Sequence, residues 1–409
     1  MLHKTLKIIS LSSYGADTFI VYLRTAIMVF FFSGLSVLYC TLLLWLVVHW
    51  CKIPTSIPPD QPPVATLPSL AVVIPVRNEA TTIQDLLQDL NCQTNLVGKA
   101  LIPEVIVVDD ASTDNTAQLV RSFSRTAVYP LRLLSLRVPP GFDGSHKKLA
   151  LQQAIEATQS EIIVTTDGDC RVGPQWLFTI AHHFARHHSV LVSGPVTFCC
   201  EATLFEQLQT VEFASLIGTG AACLRAGWPT MCNGANLAFL RSAFHEVGGY
   251  AGTMHIPSGD DEFLLQKVAR HYPRQLSFLK ESEATVRTYA KKSVNEFYQQ
   301  RKRWAGKWKL HRNYWVATLA IFIFSYHLSV LIVGGEALYD RYPKWVLFIQ
   351  LLPKVLLEYF FLRSVLHAMK KPLNAFHFLL MQLIYAPYAV FFGLRANFGG
   401  YTWKNRTYR

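Results

Sequence analysis

Two uncharged runs constrain this chain more than any other feature. Ala26 to Val48 and Val316 to Gly334 contain no Asp, Glu, Lys or Arg, and each comes to about the 20 apolar residues that a helix needs to cross a bilayer. Lipid offers no partners to a bare backbone, so such runs must be helical. Phe376 to Leu394 is also uncharged but holds Pro387, while Trp345 to Leu362 carries Lys354 and Glu358 four residues apart on one helical face. These two are expected either to span or to be re-entrant or interfacial. The first run starts only at Ala26 and lacks a small-x-small cleavage site before Trp50 and Cys51, which favours an uncleaved anchor over residues 26–50 after a leader at 1–25.

The 51% hydrophobic and 13% aromatic content is thus localised in these runs. A formal charge of +12 could suggest nucleic acid, but the densest basic stretch, Lys291 to Arg312, runs into a predicted span. Lipid headgroups account for it better, and no nucleic acid is expected. Trp304, Trp308, Tyr314 and Trp315 interleave there with Arg301, Lys302, Arg303, Lys307, Lys309 and Arg312, as at a headgroup interface. Positive-inside counting places this end, and the loop with Arg363, Lys370 and Lys371, in the cytoplasm. Lys4, Lys7 and Arg24 at one end, and Arg395, Lys404, Arg406 and Arg409 at the other, do not fit a simple alternation. The expected location is the cell (inner) membrane. Eight cysteines occur without a Cys-x-x-Cys pair, and Cys199-Cys200 has no second pair at ligand spacing. Neither a zinc site nor a disulfide framework is indicated, and reduced thiols fit a cytosolic domain.

Residues 51–68 are rich in Pro, Ser and Thr and read as a stiff linker. From Ser69 to about Lys309 the pattern changes to an α/β domain. Apolar runs at 70–75, 104–109, 131–136 and 161–166 alternate with helical spacing at 82–90, 115–123 and 148–158. A mostly parallel sheet is expected. Residues 310–396 then hold an interface helix and two to three membrane segments, and 397–409 form a basic tail.

Ligands in open α/β sheets sit beyond the carboxyl ends of the strands. There the sequence places Pro75-Val-Arg-Asn78-Glu79, then Asp109 and Asp110, then Asp167-Gly-Asp169. Acids and amides at such positions can accept hydrogen bonds from a nucleoside, and two carboxylates suit Mg²⁺ or Mn²⁺ on a diphosphate. Each group alone also reads as a turn or a helix cap. Lys147, opening a helix, could reach a diphosphate or face solvent. Asn233-Gly-Ala-Asn236 would let backbone approach a sugar. In Ser258-Gly-Asp260-Asp261-Glu262, a carboxylate facing a cleft could act as a base, or the acids could merely stabilise a helix start. His182, His183, His187 and His188 tempt a metal reading, but no Glu follows His183 and a solvated helix face is expected.

Taken in order, Asp-Asp, Asp-Gly-Asp, Asp-Asp and then Gln300-Arg-Lys-Arg303-Trp304 resemble membrane-bound glycosyltransferase family 2 over about residues 69–309. The Gln-x-x-Arg-Trp motif is complete, and Trp403-Lys-Asn-Arg-Thr-Tyr408 resembles the tail of some members. The resemblance implies a GT-A fold, an α/β mixed sheet flanked by helices, with transmembrane helices beside it. It implies inversion at the anomeric carbon, with Pro75, Asn78, Glu79, Asp109 and Asp110 around the nucleoside. Lys147 would meet the diphosphate, although His146 stands where the family has glycine. Asp167 would bind the nucleotide sugar and Asp169 the divalent metal. Asp260 and Asn236 would face the sugar and acceptor, Asp261 would be the base, and Gln300, Arg303 and Trp304 would hold the diphosphate and acceptor entrance.

The expected partners are a nucleotide-diphospho-sugar, a UDP-sugar first among them, and a lipid, lipid-linked or polysaccharide acceptor. Three functions stay open. Transfer of one sugar to a membrane lipid leads, because three or four spans are few for a polymer channel. A processive polysaccharide synthase is second. A catalytically silent scaffold is third, and retention of every candidate acid speaks against it. A nucleotidyl or phosphoryl transferase would favour a Gly-rich phosphate loop, and no Gly-x-x-x-x-Gly-Lys-Ser/Thr is present.

Overall fold

The computed structural model describes residues 2–55, 67–95, 98–306, 314–395, 401–403 and 406–408. The catalytic part is built on β1 (Leu70–Val76), β2 (Glu104–Asp109), β3 (Leu131–Ser135) and β4 (Ile162–Thr165), all parallel in the order β3-β2-β1-β4. The sheet continues through β5 (Leu191–Ser193), β7 (Leu237–Leu240) and β8 (Leu276–Phe278), in the order β4-β7-β5-β8. Strand β7 runs antiparallel to both of its neighbours. A separate parallel pair joins β6 (Val196–Cys199) to β9 (Val286–Tyr289).

Both sheet faces are covered, which explains why the strands read as unbroken apolar runs. Side chains alternate across the pleat. Val72, Ile74, Val105 and Val107 join one core with Ile83, Leu86, Leu87 and Leu90 of α2 (Ile83–Asn91). Ala71, Val73, Ile106 and Val108 join the other with Ala150, Leu151, Ala154 and Ile155 of α4 (His146–Glu156). Helix α3 (Thr116–Phe123), between them in chain order, packs on the α2 side, and α5 (Trp176–Arg186), α6 (Leu204–Arg225), α7 (Arg241–Glu246), α8 (Asp260–His271) and α9 (Val294–Ala305) complete the domain. The expected solvated face of α5 holds only at its C-terminal end, where Arg186, His187 and His188 are exposed. His182 is buried with Trp176 to Ala181, and His183 bonds Ser189 at 3.1 Å, because α5 packs its apolar residues against the sheet.

Among the described residues, four helices are long and apolar enough to cross a membrane. The first, α1 (Leu2–Cys51), is one continuous helix, so no break separates the expected leader from the anchor. The others are α10 (Tyr314–Leu338), α11 (Lys344–Ala368) and α12 (Ala375–Arg395). At one end of the bundle Arg24 pairs with Glu336 at 2.7 Å. At the other, Lys280 of the catalytic domain donates to the Trp50 carbonyl at 3.1 Å. Helix α10 therefore leads away from the domain and α11 returns to it, where Lys370 pairs with Glu283 at 3.0 Å and Lys371 with Glu201 at 2.8 Å. Helix α12 starts at this loop, and its last residue, Arg395, donates to Tyr298 Oη of α9 at 3.0 and 2.9 Å. Both ends of α12 thus meet the catalytic domain.

Inside the bundle the charges expected on α11 are paired. Lys354 meets Glu358 at 2.8 Å and Gln382 at 2.6 Å, and Tyr39 donates to Glu358 at 2.8 Å. Neutralising charge in this way is what lipid demands. Helix α6 lies against α11 so closely that a Cβ at Gly218 would sit 2.5 Å from Val365 Cγ2. Most of the 51–68 linker, Lys307, Trp308, Lys309 and Arg312 of the interface stretch, and Lys404 and Arg409 of the tail lie outside the described residues.

Candidate active site

The parallel half of the sheet ends in a set of interlocked turns. At the end of β1, Asn78 adopts a left-handed backbone (φ 56°) and its Oδ1 accepts from Thr113 N at 2.8 Å. Asp109 Oδ1 accepts from Ser112 N at 3.2 Å. These two residues brace the β2 turn, and neither is among the residues that line the cleft. Asp110 does line it, held by His146 Nδ1 at 2.7 Å and by Arg77, whose Nη1 donates to the Asp110 carbonyl at 2.6 Å. Pro75 and Glu79 stand beside it. Gly168 is required here, since a Cβ would lie 2.9 Å from Val76 Cγ1 and 3.1 Å from Glu79 Cγ. That close approach packs the Asp167-Gly-Asp169 turn onto the end of β1.

Ser145 caps α4, its hydroxyl accepting from Lys148 N at 3.4 Å, and sends two adjacent lysines in different directions. Lys148 is fully buried and donates to the carbonyls of Thr253 at 2.8 Å and Ile256 at 3.0 Å, so it fastens the loop that leads to α8. Lys147 enters the cleft and bridges Asp167 Oδ1 at 2.7 Å and Asp260 Oδ2 at 3.3 Å. Burial alone would lower its pKa, but Asp167 and Asp260 outweigh this and hold the ammonium above its ordinary value.

Gly259, in a left-handed conformation (φ 77°), turns the chain into α8. Asp261 is then fixed through both oxygens, Oδ2 accepting from Gly234 N at 2.9 Å and Oδ1 from Glu262 N at 2.8 Å. A Cβ at Gly234 would stand 3.0 Å from Asp260 Oδ2, so the small-residue stretch serves the acid cluster directly. Asn236 is corrected. It is 1% exposed, accepts from Trp176 Nε1 at 3.0 Å and donates to the carbonyls of Pro195 and Ala284 at 2.8 and 2.7 Å. With its amide fully used in the core it has nothing to offer a sugar; Asn233, Gly234 and Ala235 line the cleft instead.

All the remaining candidates, Pro75, Glu79, Asp110, Lys147, Asp167, Asp169, Asp260, Asp261, Gln300, Arg303 and Trp304, surround one cavity of about 780 Å³. Sequence reasoning missed the group that docks α9 there. Arg301, 2% exposed, donates to Glu212 at 3.1 and 2.5 Å, and Tyr388 of α12 donates to the same carboxylate at 2.7 Å. The guanidinium also lies over the rings of Phe297 and Trp304 at 4.5 and 4.3 Å. Its partners come from α6 and α12, far away in the chain.

Among the described residues no cluster of three or more His, Cys, Asp or Glu could cage a metal ion. Asp167 and Asp169 supply a two-carboxylate donor set on the cavity wall. That set fits an octahedral divalent cation, which keeps several waters and takes further oxygens from a phosphate.

Comparison with known proteins agrees with this architecture. The model of glycosyl transferase family 2 matches residues 71–248 and that of glycosyl transferase family group 2 matches residues 162–394. The poly-beta-1,6-N-acetyl-D-glucosamine synthase of Staphylococcus epidermidis is 24% identical over 249 residues, 58% of this chain and 54% of the relative. The glycosyltransferase AglE of Haloferax volcanii is 39% identical over 134 residues, 33% of this chain and 41% of the relative. The chain therefore spans about half the length of the curated relatives it matches. Among solved structures, the mannosyltransferase PcManGT from Pyrobaculum calidifontis, in complex with GDP-Man and Mn²⁺, is 20% identical. It covers 90% of this chain and 96% of its own at a TM-score of 0.51, a likeness of fold. A mixed GT-A sheet, membrane helices beside it and a family model covering more than half of the sequence lead to one conclusion: the chain belongs to glycosyl transferase family 2.

Proposed function

We propose that the protein is an inverting glycosyltransferase that moves one sugar from a nucleotide-diphospho-sugar, a UDP-sugar or a related donor, to a hydroxyl of a membrane lipid or lipid-linked acceptor. The observation that carries this reading is the shared cavity. Asp110, Lys147, Asp167, Asp169 and Asp261 line it together, and Gln300, Arg303 and Trp304 line it beside the membrane helices.

Asp110 would accept from the nucleoside, and Lys147, Gln300 and Arg303 would meet the diphosphate. Asp167 and Asp169 would hold a divalent cation, Mg²⁺ or Mn²⁺, which supplies Lewis-acid neutralisation of the leaving diphosphate when bound. Asp261 is the base. Its two backbone hydrogen bonds fix the carboxylate in place, where it can take a proton. The acceptor O–H gives that proton to Asp261 as its oxygen bonds to the anomeric carbon. The bond from that carbon to the diphosphate oxygen breaks, and its electron pair leaves with the nucleoside diphosphate. Attack from the face opposite the leaving group inverts the centre, and alignment of both substrates supplies much of the rate.

The test is Asp261→Asn in purified protein with labelled nucleotide sugars and membrane extract. Transfer should fall by about 10²–10⁴, the usual scale for a positioned base, while donor binding persists. Joint loss of transfer and donor binding, with an unchanged fold, refutes the assignment. The poly-N-acetylglucosamine synthase likeness favours a second reading, processive polymerisation. Label in an ethanol-precipitable polymer rather than an organic-soluble product selects it. The catalytic domain is assigned to the cytoplasmic side of the cell membrane, where nucleotide sugars are made, in keeping with the basic residues Lys291 to Arg303, Lys370 and Lys371.

A further inference from the structure

The catalytic cavity does not end at the acids. It runs from Asp261 past Trp304, along Ile217 of α6, and on between α10 and α12. Here the wall is apolar, formed by Leu319, Ile323, Phe324 and Phe392. At the outer end it reaches Ile321 and Leu394, which are 55% and 52% exposed on helices long and apolar enough to lie in a membrane. The cavity therefore opens sideways, onto the surface that lipid tails would cover.

We infer that the acceptor is an uncharged long-chain alcohol lipid that slides in from the bilayer by this side opening and presents its hydroxyl to Asp261. The inference rests on the lipid-acceptor reading and deepens it. Three observations choose the occupant. An apolar wall suits alkyl chains, whereas a polysaccharide along it would leave its hydroxyls without partners. The acceptor end is strongly acidic, with Asp260, Asp261 and Glu262 on one turn and Glu212 nearby on the cavity wall. Of the cations lining the cavity, Lys147 already bridges Asp167 and Asp260 and Arg301 is paired with Glu212, while Lys291 and Arg303 stand on the wall beside Gln300 and Trp304. A phosphate-ended lipid would bring further negative charge against the acids. A phosphate oxygen is also already ionised and has no use for a base, whereas a neutral hydroxyl needs the carboxylate that Gly234 and Glu262 hold in place.

The experiment uses the full chain in phosphatidylcholine vesicles with labelled nucleotide sugars. A total lipid extract of the producing cells is separated by anion exchange into uncharged and acidic fractions. Organic-soluble product should form from the uncharged fraction; product from the acidic fraction alone overturns the inference. Product from neither, with label in polymer, instead sinks the lipid-acceptor reading on which it rests.

The route is tested by Ala320→Trp, which fills the groove on α10. Its control is Ile332→Trp, on an exposed stretch of the same helix away from the groove. Ala320→Trp should lower lipid transfer about tenfold or more, as an overpacked apolar site does, with unchanged donor affinity by calorimetry. Ile332→Trp should leave transfer unchanged. Equal transfer by both variants, or equal loss in both, overturns the side entrance. The milder Ala320→Leu, expected to fall between wild type and Ala320→Trp, separates blocking from misfolding.

Discussion

Replacing Arg301 by Met should loosen the Gln-x-x-Arg-Trp helix without touching any reacting atom. In the native protein Arg301 and Glu212 are 2% and 6% exposed, and the carboxylate also accepts from Tyr388. Removing the cation leaves Glu212 buried with a single hydroxyl donor. Breaking a buried pair from one side costs about 3–5 kcal/mol. A domain of this size melts about 2–4 °C lower per kcal/mol, so the midpoint should drop by about 6–20 °C.

Glu212→Leu should cost less. Arg301 keeps the side-chain amide oxygen Oε1 of Gln300 at 2.6 Å and the faces of Phe297 and Trp304. In the double variant Glu212→Leu/Arg301→Met no buried charge is left, and similar volumes fill the site. Such exchanges are neutral or stabilising by about 1–4 kcal/mol, so its melting point should return to or above that of wild type. The assay is tryptophan fluorescence during heating of detergent-solubilised protein, with a second readout in the Michaelis constant for donor. If the double variant melts as low as Arg301→Met, the pair does not act through charge compensation and the argument fails.

Other outcomes follow from the same geometry. Gly168→Ala forces a Cβ against Val76 and Glu79 and should cost about 1–3 kcal/mol, seen as weaker donor binding and earlier melting; native-like values for both would refute the close-packing argument. Lys148→Met strips the Thr253 and Ile256 carbonyls of their donor, at about 1–3 kcal/mol for each orphaned group, and should lower the melting point while leaving metal dependence alone. Asp169→Asn should raise the metal concentration needed for donor binding, and an unaltered metal titration removes Asp169 from the ligand set. Burial, with His187 and His182 adding to it, pushes His183 from 6.5 down to about 4. The unfolded chain therefore binds the extra proton first, and this group's share of stability, full above pH 6.5, is lost as pH falls towards 4. His183→Asn should flatten that part of a melting-point profile against pH, and an unchanged slope would refute it.

The parallel core was legible because buried strands and amphipathic helices leave periodic marks. The runs at 70–75 and 104–109 correspond to β1 and β2, and the helical spacing at 115–123 to α3. Strands β5, β7 and β8, of three or four residues each, carry too little pattern to be seen. The site was legible where chemistry is clustered along the chain, as at Asp167-Gly-Asp169 and Asp260-Asp261. It was misread where an amide in the right stretch was taken up in the core, as with Asn236 under Trp176. Nor could spacing reveal that Glu212, Arg301 and Tyr388 meet, since their contacts depend on how α6, α9 and α12 pack.

The placement of α12 bears on the parity of the fold. Both its ends lie against the catalytic domain; if α12 runs along the membrane surface, α1, α10 and α11 alone carry the chain through. The count of crossings is then odd. The start of α1 and the end of α12 at Arg395 then fall on opposite sides, with Arg395 on the side of Lys370 and Lys371. An even count leaves positive charge stranded at both ends of the chain; an odd one leaves it only at Lys4, Lys7 and Arg24.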